Sequence, residues 1–437
     1  MKEIFTEYVV VGSGPGGAST ALELAEKGKH VVILEKGPRH PITKSKIDAY
    51  GIYDKWAVFS RSREGVIIDR AITLGGCSVV FSGNAFDPPP WLFEPWGIDL
   101  SPYATEISRE IGIAPFSDAF CAPWTGIQRL REAGDRLGVD LKPQEKFIDE
   151  TLCRNGCDGC MTGCRNDAKW TARRWIDKAA SLGATVITEA DVSHLEIKEG
   201  RVQAVHATTP DGKLRVDCES AVLSAGGVGT AVILQRSGID KAGDHFFMDP
   251  MNVIWGMADE PVSTGTEMTF SYACDTWADE KGYILGNVSG KGAWLTRFMR
   301  PLSGWPALLQ SGKWDRMMGM FIKVADDRVG SVDARGQMTK PLTDADLQKS
   351  REATDLAISV MTQAGVAPSS IRVVKSIGGH PGGTAAIGEV VDEDFRVRGI
   401  KNLHLCDASV FPKSPGRPPT LIILALGRHL VRHILEP

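Results

Sequence analysis

The stretch YVVVGSGPGGASTALELAEKGKHVVILEKG, residues 8–37, constrains the fold more than any other part of the chain. Four apolar residues (8–11) lead into Gly12-x-Gly14-x-x-Gly17, a helical pattern follows, and a second apolar run at 31–34 ends on Glu35. A strand before and a helix after the glycines make a βαβ unit, the context in which this motif binds a dinucleotide. Gly12 permits the tight turn, Gly14 lets a pyrophosphate approach the backbone, and Gly17 brings helix against strand. The helix N-terminus offers unpaired N–H groups and the positive end of its dipole to the phosphates. Glu35 stands 23 residues after Gly12, where a carboxylate accepts from both ribose hydroxyls and repels a 2′-phosphate. The ligand is therefore FAD or NAD, not NADP.

With 437 residues the chain is long enough for two or more joined domains. A net charge of −4 gives no footing for general nucleic-acid or membrane-surface binding. No apolar run reaches the ~20 residues of a membrane-spanning helix. The N-terminus carries no secretion-signal pattern, so a reducing, cytoplasmic setting is the expectation. A Pro/Trp-rich loop at 87–97 leaves the first domain, and a helix is expected over 169–182. A strand, a β-meander turning at Asp211-Gly212, and a buried strand ending at Ala225-Gly226-Gly227 follow. Residues 251–342, rich in Trp, Met and Gly, read as a separate antiparallel substrate-side domain, and 399–435 as strand, proline-rich loop and amphipathic helix. The fold class is thus α/β (α+β overall): a Rossmann-like domain from 1–90, 151–250 and 371–437, with a substrate-side domain and linking segments from 91–150 and 251–370.

Four cysteines crowd into CRNGCDGCMTGC: Cys153, Cys157, Cys160 and Cys164, spaced C-x₃-C-x₂-C-x₃-C. The first interval is one residue longer than in the bacterial ferredoxin run. Gly156, Gly159 and Gly163 let the backbone fold round a cluster and present amide N–H groups to it. In a reducing compartment such thiols point to metal or redox chemistry rather than disulfides. Structural zinc sites more often use two separated ligand pairs. A [4Fe–4S] cluster is the favoured reading, with zinc and free thiols left open. Cys77, Cys121, Cys218, Cys274 and Cys406 are scattered and are expected to be small buried hydrophobes.

Further segments resemble the glucose–methanol–choline (GMC) flavoprotein oxidoreductases. LGGCSVVFSGNAF (74–86) is similar to the family's Gly-Gly-Ser/Thr-Ser segment beside the flavin ring and pyrophosphate. AVLSAGGVGTAVILQRSGI (221–239) resembles its second signature. GDHFFMDPM (243–251) resembles Gly-x-Asn-x-x-Asp-His-Pro, with Pro250 where His is commoner. GGHPGGTAAIG (378–388) and LCDASVFPKSPGRPPTLIILALG (405–427) resemble the C-terminal catalytic segments. The resemblance implies FAD. It places Gly75, Gly76, Cys77 and Ser78 along the flavin, Val192 against adenine, and Asp407 and Ala408 near the ribityl chain. Ala225, Gly226, Pro419 and Thr420 also fall on cofactor segments. Within the family, a similar cysteine run occurs in a subgroup resembling sterol and long-chain alcohol oxidoreductases, and related sugar dehydrogenases carry an iron–sulfur insert.

Oxidising an alcohol needs a base for the hydroxyl proton while hydride leaves the carbon for flavin N5. His380 matches the family's catalytic histidine, and Gly378, Gly379, Gly382 and Gly383 around it allow close approach. His404 reads as structural, and His429 and His433 as a solvated face of the last helix. Two departures stand out: Pro418 occupies the position of the family's second His or Asn, and Phe81 a common Asn. Proline offers no side-chain donor or acceptor, so Arg417 or Asn84 is the candidate replacement. The expected function is dehydrogenation of an alcohol, sterol or sugar hydroxyl by FAD, with electrons leaving through the cluster to a protein or quinone acceptor. The alternatives are an oxidase with a structural zinc, or an electron-transfer subunit with no substrate of its own.

Overall fold

The computed structural model describes residues 1–42, 50–54, 60–157, 159–262, 267–289 and 314–435. Part of the expected substrate-side domain, 290–313, lies outside these residues. The strand Lys2–Val11 pairs in parallel with Val31–Leu34 on one side and with Gly212–Leu223 on the other. Both faces of its apolar end are covered, which is why Val9, Val10 and Val11 run consecutively rather than alternating with polar residues. Thr185–Ile187 extends the sheet beyond Val31–Leu34, and the meander Asp191–Lys198, Arg201–Thr209, Gly212–Leu223 completes its other side. Leu403–Leu405 pairs in parallel with the last three residues of Gly212–Leu223. The chain therefore returns to this sheet near its C-terminus.

The helix Pro15–Glu26 lies against the last helix, Thr420–Leu435, so closely that a Cβ on Gly427 would stand 2.6 Å from Ser19 Cβ. Ser19 Oγ donates to Leu424 O at 2.7 Å across the contact. The helix expected over 169–182 is shorter, Ala172–Ser181. Lys169 instead forms an isolated bridge with Ile148, because its side chain is drawn into the interior.

An eight-stranded sheet forms the other layer, in the order Ser60–Arg61, Ile67–Ile68, Arg372–Gly378, Met251–Met257, Met317–Val324, Tyr283–Val288, Tyr272–Cys274, Lys142–Pro143. Its pairs are antiparallel except Arg372–Gly378 with Ile67–Ile68. Met318, Met320, Ile322 and Val324 pack toward the helix Asp344–Gln363, whose N-terminus is closed by a Thr343/Asp346 capping box. Alternate residues of the same strand, Phe321 and Lys323, face a cavity.

Candidate active site

Residues of both sheets line one cavity of about 520 Å³. The glycine motif forms part of its wall. Gly12 has φ +99°, and a Cβ there would sit 2.3 Å from Ser224 O, so only glycine fits between the two parallel strands. A Cβ on Gly17 would lie 1.9 Å from Gly12 O, fixing the helix against the strand. A Cβ on Gly14 would meet nothing within 4 Å; the space beside it opens on the cavity. A bare backbone beside open space at a helix N-terminus fits a dinucleotide pyrophosphate. Glu35 lies on the same wall: its carboxylate accepts from Ser13 N at 3.0 Å, Ser13 Oγ at 2.6 Å and Gly37 N at 2.7 Å. Burial raises its pKa against the pull of these donors.

Gly76, Cys77, Ser78, Val192, Ala225, Gly226, Ala408, Pro419 and Thr420 also line the cavity, whereas Gly17 and Gly75 stand behind its wall. Gly75 N donates to Ser13 Oγ at 2.9 Å, tying the second glycine segment to the first. Asp407 reaches the wall, but its carboxylate is engaged by Gly226 N at 2.8 Å, Thr230 Oγ1 at 2.6 Å and Ser409 N at 2.8 Å. It pins the start of the helix Gly226–Arg236 to the C-terminal loop. Among the scattered cysteines, Cys121, Cys218, Cys274 and Cys406 are buried as expected; Cys77 differs, being exposed to the cavity.

His380 sits at the end of Arg372–Gly378, a fifth of its side chain exposed, and the opening is onto the cavity. Its Nδ1 lies 3.2 Å from Asp249 Oδ2 and 3.4 Å from Lys323 Nζ. Asp249 is fully buried, and its carboxylate also accepts from Ser414 Oγ and from Gly416 N at 3.3 Å. Burial and then the Lys323 charge pull His380 down to about 4, against Asp249. Lys323 is buried and donates to Asp249 O at 3.1 Å. Behind this group lies a fully buried pair, Lys340 Nζ to Asp326 Oδ2 at 2.9 Å. Burial pushes Asp326 up to about 6, opposed by Lys340.

Asp249 and Lys323 carried no role in the sequence reading. The signal for Lys323 was present: a lone cation in the apolar run MMGMFIKV. Pro418 does line the cavity, as does Asn84, whereas Arg417 does not. Arg417 pairs with Asp279, and Asn84 is held by Phe270 O at 2.8 Å and Lys146 Nζ at 2.9 Å. Val253, Trp255, Ile284, Phe321, Phe86 and Phe270 give the chamber a large apolar surface, and Asn84, Thr269 and Ser289 line it beside them. The Trp255 indole N–H is buried there with no acceptor among the described residues. His404 is buried in a strand as expected, whereas His429 is not solvated. It is 7% exposed and packs edge-on to Tyr103, because the last helix is enclosed over most of its length.

The four clustered cysteines lie behind the cavity wall. Burial pushes the Cys153 thiol up to about 12 and raises Cys160, and each is further raised by neighbouring thiols of the group. Among the described residues, no three Cys, His, Asp or Glu side chains converge as a site for a single metal ion. Two fully buried lysines flank the thiols. Lys146 Nζ donates to Phe270 O at 2.6 Å, Asn84 Oδ1 at 2.9 Å and Ser82 O at 3.3 Å. Lys169 Nζ donates to Cys160 O at 2.5 Å, Phe81 O at 2.7 Å and Val79 O at 2.9 Å. All six acceptors are neutral, and among the described residues neither lysine pairs with a carboxylate. Burial brings Lys146 down to about 7 and Lys169 to about 8, while the thiols, where ionised, act in the opposite direction. Met161 and Phe81 belong both to this region and to the cavity wall.

A family model described as GMC oxidoreductase matches residues 7–262, and a second, C-terminal one matches 327–427. An uncharacterized protein of Methanocaldococcus jannaschii is 26% identical over 98% of this chain and 100% of its own length. A long-chain-alcohol oxidase of Arabidopsis thaliana is 23% identical over 99% of this chain and 67% of its own. Among solved structures, pyridoxine 4-oxidase from Mesorbium loti superposes with a TM-score of 0.74 at 17% identity, covering 98% of this chain and 99% of that one. No helix of the described residues is long and apolar enough to cross a membrane.

Proposed function

Because the chain belongs to the GMC oxidoreductase family, and is thus an FAD-dependent oxidoreductase acting on CH–OH groups, we propose that it dehydrogenates an alcohol with a largely apolar skeleton, using His380 as base. The observation that carries this reading is the pairing of His380 with the buried Asp249 beside a largely apolar chamber. Gly12, Gly14, Glu35, Gly76, Val192, Gly226 and Ala408 would hold the cofactor along the cavity wall. Bound FAD supplies the acceptor for the hydride that leaves the carbinol carbon. An ionised Asp249 can only accept, so the ring proton resides on His380 Nδ1 and Nε2 keeps its lone pair. Nε2 takes the hydroxyl proton as the C–H bond breaks, leaving a carbonyl product. Val253, Trp255, Ile284 and Phe321 exclude water and favour an aliphatic or sterol alcohol over a sugar, whose hydroxyls would be stranded there. The likeness to a long-chain-alcohol oxidase supports the same substrate class.

For the electrons' exit, Cys153, Cys157, Cys160 and Cys164 would hold a [4Fe–4S] cluster able to pass them singly to a protein or quinone acceptor. The two buried ammoniums support this, since a buried cation without an acid partner is costly unless an anion stands nearby. Four thiolates round a cluster are such an anion. The test is anaerobic mixing of purified protein with long-chain primary alcohols and sterols, together with metal analysis. Bleaching of the flavin by these alcohols and about four irons per chain are expected. Flavin that no alcohol reduces overturns the first part, and stoichiometric zinc without iron overturns the second.

A further inference from the structure

The buried charges round His380 form a set that is neutral only in one protonation state of the ring. Asp249 and Lys323 touch it from two elements, the loop before Met251–Met257 and the strand Met317–Val324. Behind them, Asp326 accepts from Met248 N and Asp249 N and is paired with Lys340. The described residues place no other charged group against the ring. With both carboxylates ionised they cancel the two ammoniums, so an imidazolium would then add an uncompensated charge in the interior.

The contact at Lys323 is informative in its details. An ammonium only donates, and a carboxylate only accepts. His380 Nδ1 cannot donate to Asp249 and accept from Lys323 in one tautomer. Asp249, anchored by Ser414 and Gly416 and nearer by 0.2 Å, takes the Nδ1 proton. Lys323, held by Asp249 O, is then a charge beside the ring rather than its hydrogen-bond donor.

We infer that Lys323 is a positioning residue of the catalytic histidine: it cancels the charge of Asp249, so that Asp249 orients the ring without drawing a second proton onto it. An Asp–His pair alone would favour imidazolium, which cannot act as a base. The group that conditions the histidine enters from the antiparallel sheet, not from the loop before the last helix.

The inference rests on His380 being the base, yet it can be tested on the ring's charge without any substrate. FAD-loaded protein labelled with ¹⁵N-histidine would be titrated by NMR, with His380→Asn assigning the resonance. The wild-type ring should stay neutral down to about pH 5. Lys323→Met should shift the equilibrium at least tenfold toward the protonated ring, and Lys323→Arg should restore the wild-type midpoint. Should Lys323→Met fail to fold, Asp249→Asn and Asp249→Asn/Lys323→Met give the same comparison with Asp249 neutral, and the midpoint should again be higher without the lysine. An unchanged midpoint in either pair overturns the inference. Normal flavin reduction in His380→Asn would instead remove the base reading while leaving the charge measurement intact.

Discussion

Two regions on opposite sides of one cavity wall both bury lysines, and they treat the charge differently. Beside His380, Lys323 and Lys340 stand next to Asp249 and Asp326, so the interior there is electrically balanced as it is. Behind the wall, Lys146 and Lys169 have their N–H groups satisfied by neutral oxygens, but no carboxylate faces them among the described residues. Hydrogen bonding and charge balance are separate requirements, and only the first is met at the cysteines. The His380 side balances its charges within the polypeptide; at the cysteines no carboxylate among the described residues does so.

The largest effects should separate the two regions outright. Gly14→Val fills the open space beside the helix N-terminus, so the purified protein should be colourless while keeping its iron. Cys160→Ser should do the reverse, abolishing iron while FAD released on denaturation remains stoichiometric. Loss of both groups in either variant would mean that the regions are not independent. Next in size, His380→Asn should retain FAD and slow its reduction by a substrate alcohol by about 10²–10⁴-fold, the contribution of a positioned acid–base group.

Stability should then respond differently at the two kinds of lysine. Lys323→Met removes the cation beside the buried Asp249 and its bond to Asp249 O, and should lower stability in denaturant unfolding. In iron-free protein, Lys146→Met removes a buried cation but strands the oxygens of Phe270, Asn84 and Ser82, so it should cost less than in iron-loaded protein. In iron-loaded protein the same change should destabilise. If Lys146→Met lowers stability equally with and without iron, the contrast fails. The smallest effect is the pH profile. His380 is pulled down to about 4, so the neutral base prevails above that value. Flavin reduction should be nearly flat from pH 8 to 5 and fall only below, as the ring protonates.

The sequence by itself determined the βαβ unit, because a strand, three glycines and an acid at fixed spacing leave one backbone path. The strand Val31–Leu34 falls where the apolar run placed it, and Gly12 and Gly17 sit where no side chain fits. It also determined the family, through ordered motifs, and set His380 among glycines beside the cavity. Local patterns carry such information because the neighbours that matter are close in sequence. What only the tertiary structure decided is the company each polar group keeps. Asp249, Lys323 and His380 are far apart in sequence and meet because three neighbouring strands of the antiparallel sheet, Arg372–Gly378, Met251–Met257 and Met317–Val324, bring them to one edge of the cavity. His429 shares an apparently polar helix face with His433, yet it is enclosed by Tyr103 and Phe395 from distant segments. Lys169 opens the segment expected to be helical, and the fold instead turns it inward, where its ammonium donates to Cys160 O. Whether a charge meets water, a carboxylate or a cluster of cysteines depends on which distant segments pack against it, and spacing along the chain does not encode that.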